Sequence, residues 1–301
     1  MTTTENDVED VPETRVSAVR LLLSNPVTVV SSVVLLAVVV IAVAANWLTP
    51  HGVNDIDVPN ALRAPNGAHW FGTDELGRDV FSRVLVAIQA SMRVAVISVA
   101  FAAVVGITVG LLAGYRGGWL DTVLMRVVDV MFAFPVLLLA LAVVAILGPG
   151  ITTTTLAIGI VYTPIFARVA RASTLSVRVE PYVAVSRTMG SGPVFILTRH
   201  ILPNISGPLI VQTSLSLAFA ILSEAALSFL GLGIQPPQPS LGRMIFDSQG
   251  FVTLAWWMAV FPGAAIFVIV LAFNLLGDGL RDVLDPKQRT MIEARRAGRQ
   301  S

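Results

Sequence analysis

No cysteine occurs among the 301 residues, and Lys287 is the only lysine. The first absence removes disulfides, zinc ribbons, iron–sulfur clusters and thiol nucleophiles together. The second removes the phosphate-binding loop of P-loop ATPases, which needs Gly-Lys followed by Ser or Thr, whereas Lys287 is followed by Gln288. Any uphill transport by this chain must therefore be powered by an ion gradient or by another polypeptide. The three histidines, His51, His69 and His200, stand far apart in sequence, so the residues alone offer little for metal chemistry. Charge is scarce as well: 13% of residues are charged, about half the share in a soluble domain. With 55% hydrophobic residues and a mean hydropathy of +0.79, a soluble globule is excluded. The net charge of +1 gives no basic excess for nucleic acid.

What is present is a series of long charge-free intervals. A helix needs roughly 20 apolar residues to cross the hydrocarbon core, and the intervals predict six spans at about 27–48, 94–115, 122–147, 152–172, 204–230 and 253–276. Gly148-Pro149-Gly150 divides the third from the fourth, and Gly231-Leu232-Gly233 with Pro236-Pro237 ends the fifth. The alternation of barrel strands is missing. The expected fold is an all-α polytopic membrane bundle. The first span follows an acidic leader over 1–26 and reads as a retained helix rather than a cleaved signal. If the N-terminus is cytoplasmic, only Arg63, Arg78, Arg83, Arg93 and Arg243 fall outside, leaving fifteen of the 20 basic residues inside. That distribution satisfies the positive-inside rule and puts both termini in the cytoplasm. Residues 49–91 become an extracytoplasmic segment, 92–277 a five-helix core with a cytoplasmic loop at 173–203, and 278–301 a basic cytoplasmic tail.

The loop carries its own pattern. Glu180-Pro181 starts a helix, since proline loses nothing at the first helical position, and Gly190 ends it. Between them Tyr182, Val185 and Met189 fall at i, i+3 and i+7 and form one apolar stripe. A second short helix, Val194 to His200, is expected to stop at Leu202-Pro203. The stripe rests either on the lipid interface and the chain's own helices or in a groove on a cytoplasmic partner.

The residues resemble the membrane subunits of ABC importers, in particular the second permease of the dipeptide, oligopeptide and nickel group. In the family's cytoplasmic loop a Glu-Ala-Ala triplet precedes a glycine and then Leu-Pro; here Ala184-Val185-Ser186, Gly190 and Leu202-Pro203-Asn204 stand in those places, and the Glu is absent. Three further stretches carry the resemblance: 71–83 (FGTDELGRDVFSR), 227–237 (LSFLGLGIQPP) and 274–286 (NLLGDGLRDVLDP). The resemblance implies a type I ABC importer permease of the bacterial inner membrane that is not itself an enzyme. It implies a heterodimer with a second permease, two cytoplasmic ATP-binding subunits that hold ATP and Mg, and an extracytoplasmic solute-binding protein or lipoprotein. The substrate class it implies is di- and oligopeptides, with nickel chelates, haem and other peptide-like solutes as alternatives. A stand-alone secondary transporter or a membrane enzyme finds far less in the sequence.

Several residues are singled out. Tyr182, Val185, Ser186, Met189, Gly190, Leu202 and Pro203 are the candidates for coupling to the ATPases. Asp129 lies inside the third span, and Arg126, three positions earlier on the same face, is its expected partner. Glu224 lies inside the fifth span, where an ionisable residue is a functional hypothesis by default; it either lines the pathway or pairs with an arginine such as Arg93. Asp74, Gly77, Arg78 and Asp79 are read as an outer interface, and Gly231, Gly233 and Pro236 as a rigid re-entrant or gate loop. Trp256 and Trp257 are read as belt residues at the membrane surface.

Overall fold

The computed structural model describes residues 25–284. The acidic leader and the end of the basic tail thus lie outside the described residues. Ten helices organise the rest: α1 Pro26–Leu48, α2 Val80–Arg116, α3 Gly118–Phe132, α4 Val136–Leu147, α5 Ile151–Val177, α6 Pro181–Thr188, a composite α7 over 193–204, α8 Ser206–Phe229, α9 Leu241–Asp247 and α10 Trp257–Leu284. Five of them, α1, α2, α5, α8 and α10, are long and apolar enough to cross a membrane. The α3–α4 pair passes the same test only when joined, and it is bent by 90°.

That bend corrects the expectation of one straight third span over 122–147. Pro135 has no N–H and crowds the preceding turn, so the helix ends at Phe132 and restarts at Val136. The second span also departs from its expected start at 94. α2 runs for 37 residues from Val80, with Asp79 as N-cap accepting from Ser82 N at 2.8 Å. Arg83 interrupts the charge-free run without interrupting the helix, because its side chain is buried and faces Asp74 at 3.5 Å.

The tightest pair in the bundle is α2 against α5. Gly106, Gly110 and Gly114 recur every four residues on α2, so their bare backbones form one strip. A Cβ built on Gly110 would lie 2.4 Å from the Ala167 carbonyl oxygen and 2.7 Å from Ala170 Cβ, and the other two glycines meet α5 in the same way. Small residues at such spacing let helix backbones approach in a membrane, where apolar burial alone does not drive association. α1 lies on the outside of this pair and of α10. It buries only Thr28, Ser31, Leu35, Val38 and Ala45 along one face, and Gln89 Nε2 donates to its Ala42 carbonyl at 2.7 Å.

A separate small core fixes the loop between α5 and α8. Val183, Ile196, Ile201, Ile205 and Leu209 are buried together with Ala170. The expected stop at Leu202-Pro203 is not observed: helical backbone continues through Asn204. Proline withholds the N–H that the ladder would use, and the chain answers with a π-helical turn over Ile196–Ile201, in which Leu202 N–H bonds to Leu197 O.

Candidate functional site

The loop presents the most distinctive surface. Arg178 Nη1 donates to the Gly114 carbonyl at 2.7 Å and ties the end of α5 to the end of α2. Pro181 then opens α6, and Gly190 closes it with φ +82, its N–H bonding Arg187 O while Ser191 N–H bonds Ser186 O. This pair of bonds is a glycine-terminated helix stop. Val183 and Ser186 turn inward, Val183 into the small core. Tyr182, Val185 and Met189 are exposed at 42%, 56% and 80%. The stripe is therefore held rigidly from behind, and none of the described residues covers it, so it does not rest on the described helices of the bundle. Val179, Val194 and Phe195 extend the same exposed apolar surface. Ser186 does not share it, and Leu202 and Pro203 belong to the following segment, half-buried and exposed respectively. Partial desolvation of the Tyr182 hydroxyl, and next the Glu180 carboxylate, raise its pKa above the ordinary phenol value.

Glu224 stands apart from every expected partner. It is fully buried on α8, and its carboxylate oxygens accept from Ser91 Oγ on α2 at 2.5 Å and from Ser228 Oγ at 2.7 Å. Arg93 is exposed and forms no ion pair among the described residues, so the pairing with Arg93 does not hold, and the full burial of Glu224 keeps its carboxylate off any open surface of the described residues. The reason is register: Ser91 lies two residues before Arg93, and on α2 that places them on different faces. The neighbours of Glu224 on α8, Phe219, Leu222 and Ser223, line a cleft instead. Leu222, Ser223, Phe219, Tyr162, Ile165 and Leu137 bound an apolar space of about 550 Å³, in which Tyr162 Oη and Ser223 Oγ are 3.1 Å apart.

The Glu224 centre also anchors the loop after α8. Ser228 Oγ accepts from Ile234 N at 3.2 Å, and a Cβ on Gly233 would lie 2.0 Å from that same oxygen. Gly231 turns at φ +79. The segment with Gly231, Gly233 and Pro236 is thus folded back on α8 and leads to α9, whose Leu241, Gly242 and Met244 are buried. Asp129 is likewise paired across helices and not within one. Its partner is Arg168 on α5, at 2.7 Å, and the guanidinium lies 3.9 Å over the Phe132 ring. Arg126 is exposed and forms no ion pair among the described residues.

At the other end of the bundle, residues 49–79 form a dense polar hub. Asp74 accepts from Leu76 N, Arg78 N and Arg78 Nε, the last at 2.6 Å. Asp79 caps α2 and accepts from His69 Nδ1 at 2.9 Å. Gly77 turns at φ +78 with the Asp57 backbone against it. Trp257, expected at the membrane surface, is buried and donates from Nε1 to Thr73 O at 3.0 Å; Trp256 is exposed. Asp74 and Asp79 are buried within the chain, so these carboxylates are not available to an outer interface. The structure also brings His51 and His69 together beside Asp79, which their separation in sequence conceals.

Glu75 contrasts with Asp74. One oxygen pairs with Arg78 at 3.0 Å, and the other is buried without a partner. Burial, and next the Asp74 carboxylate, raise its pKa. A carboxyl raised in the fold binds its proton more tightly there than in the unfolded chain, so this contribution is present at low pH and lost as pH rises through the folded value. Glu75→Gln is expected to hold or raise the thermal midpoint in detergent at neutral pH and to flatten its fall with pH. Asp74→Asn, which breaks a buried pair, is expected to cost about 3 kcal/mol. Equal loss in both variants would contradict this account.

Comparison with known proteins places the fold and its surfaces in context. Residues 106–290 match the family described as binding-protein-dependent transport system inner membrane component. The chain belongs to that family. Residues 16–65 match the N-terminal transmembrane domain of oligopeptide transport permease C. The dipeptide transport system permease protein DppC of Alkalihalophilus pseudofirmus is 42% identical over 273 residues, covering 91% of this chain and 90% of that protein. A probable D,D-dipeptide transport system permease protein, DdpC of Escherichia coli K12, is 43% identical over 267 residues, covering 89% and 90%. The glutathione transport system permease protein GsiD of Pectobacterium atrosepticum is 44% identical over 272 residues, with 90% coverage of both. Among solved structures, an inward-facing MetNI methionine ABC transporter shares the fold, with a TM-score of 0.57 at 18% identity over 68% of this chain and 97% of that one. This permease is accordingly an inner-membrane transport component and not an enzyme, and its family works with a partner permease, separate ATPase subunits and a binding protein.

Proposed function

We propose that this permease forms one half of the pathway of an ATP-driven importer for dipeptides and short oligopeptides. Its α6 stripe docks on a cytoplasmic ATP-binding subunit, and its hub faces the extracytoplasmic binding protein. The observation that carries the reading is the stripe of Tyr182, Val185 and Met189, exposed on a helix whose opposite side is locked into a core. A rigid apolar ridge of this kind suits a helix that enters a groove and transmits movement. In this reading ATP and Mg are held by the two ATPase chains, a second related permease completes the pathway, and both termini of this chain are cytoplasmic. The substrate class is supported by the relatives, whose names specify dipeptides, D,D-dipeptides and glutathione, a peptide-like solute.

Proteoliposomes containing the permease pair, the ATPase subunits and the binding protein test the proposal. Dipeptide is expected to stimulate ATP hydrolysis and to accumulate only with ATP. Competition by unlabelled peptides, glutathione, haem and nickel chelates then ranks the solutes. Stimulation by haem or a nickel chelate without any by peptide would replace the substrate. Uptake by this chain alone, driven by an ion gradient, would overturn the mechanism.

A further inference from the structure

We infer that His51, His69 and Asp79 form a binding site for a divalent transition-metal cation of the zinc or cobalt type, which staples the connector after α1 to the start of α2. One ligand atom from each residue lies within 4.8 Å of the other two. The imidazoles of His51 and His69 meet edge to face with centroids 4.7 Å apart, and His69 Nδ1 is 2.9 Å from Asp79 Oδ1. Ligands of a tetrahedral ion at about 2.0–2.2 Å are roughly 3.4 Å from one another. The widest pair in the cluster therefore needs to close by at most about 1.4 Å to meet that geometry, and the His69–Asp79 pair is already close enough. Two imidazole nitrogens and one carboxylate, with water in a fourth position, suit a borderline cation and disfavour calcium or magnesium.

Two of the three ligands are already fixed. Asp79 is held by its cap to Ser82 N, and the His69 backbone is held by Asn66 Oδ1 at 3.0 Å and by the Gly72 N–H on its carbonyl. His51 is the adjustable member, tied by one long bond of 3.4 Å from its N–H to Ser82 Oγ. Among the described residues no arginine pairs with Asp79, because Arg78 is directed at Asp74 and Glu75, and Arg83 at Asp74. Both histidines are only partly buried, which leaves an entry path. The three ligands come from the connector, the hub and the first turn of the core, so an ion here fastens the outer helix α1 to the bundle.

The test uses the full-length permease, purified in detergent through a tag without histidine and titrated with Co²⁺ alone. One equivalent is expected to give the intense visible absorption of tetrahedral cobalt, to be displaced by Zn²⁺, and to raise the thermal midpoint. His51→Ala and His69→Ala should each weaken binding by about tenfold or more, whereas His200→Ala, at the far end of the bundle, should not. His51→Ala removes a partly buried side chain that makes no side-chain hydrogen bond among the described residues, so its folding serves as the control for His69→Ala. Absence of a stoichiometric cobalt spectrum in the unaltered protein, or a spectrum that survives His51→Ala and His69→Ala, would overturn the site.

Discussion

Val185→Asp is expected to reduce ATP-driven uptake about 100-fold while leaving insertion, yield and thermal midpoint unchanged. Val185 is exposed in the free chain, so the substitution costs the fold almost nothing. Once the stripe enters a partner's groove, the carboxylate is desolvated without a counter-charge, and the loss of a central apolar anchor costs about 2–4 kcal/mol of binding. Each 1.4 kcal/mol is a factor of about ten. Gly190→Val reaches the same end by another route. Its Cβ would meet no neighbouring atom within 4 Å, but φ +82 is strained for a β-branched residue, so the end of α6 must re-form and the stripe swings out of place. Uptake and ATPase activity in reconstituted vesicles check both variants. Normal transport by Val185→Asp would remove the stripe from the mechanism.

The second large effect concerns the α2–α5 contact. Gly110→Ala is expected to cost at least about 3 kcal/mol, because the added carbon meets backbone rather than a movable side chain. Gly110→Leu should abolish recovery of monodisperse protein. Gly263→Ala in α10 is the control. Nothing lies within 4 Å of its added carbon, and alanine favours helix over glycine, so the thermal midpoint should hold or rise slightly. Size-exclusion profiles and thermal unfolding in detergent separate the two. Equal behaviour of Gly110→Ala and Gly263→Ala would show that the glycine strip does not set the packing.

What could be read from the sequence follows the range of the interactions. The α6 stripe and the stop at Gly190 are local patterns, and the structure displays both. Pro135 is the residue that marks the bend, but the uninterrupted apolar run on each side hides it from a charge-free criterion. The start of α2 escapes a charge-free criterion, which stops at Arg93, Arg83 and Asp79, although Asp79 with Ser82 three residues later is a helix-start signal. The glycines at 106, 110 and 114 were legible at their four-residue spacing and are the signal that locates the tightest contact. Partners far along the chain were not legible. Ser91 reaches Glu224 across 133 positions, Arg168 reaches Asp129 across 39, and Trp257 reaches Thr73 across 184. In each case a nearer residue of suitable charge or an apolar setting offered a simpler reading that the helix registers do not allow. The histidine cluster is of the same kind, since only the fold of the 49–79 segment brings His51 to His69.

The absence of cysteine makes the central claim directly measurable. A single Val185→Cys thiol, introduced into the assembled transporter and treated with a short cross-linker, is predicted to join this permease to an ATP-binding subunit, with a yield that changes when ATP is added. Val43→Cys, on the exposed face of α1, is predicted to give no such product. A Val185→Cys thiol that links to no ATPase chain, while the same preparation hydrolyses ATP and takes up peptide, would contradict the account.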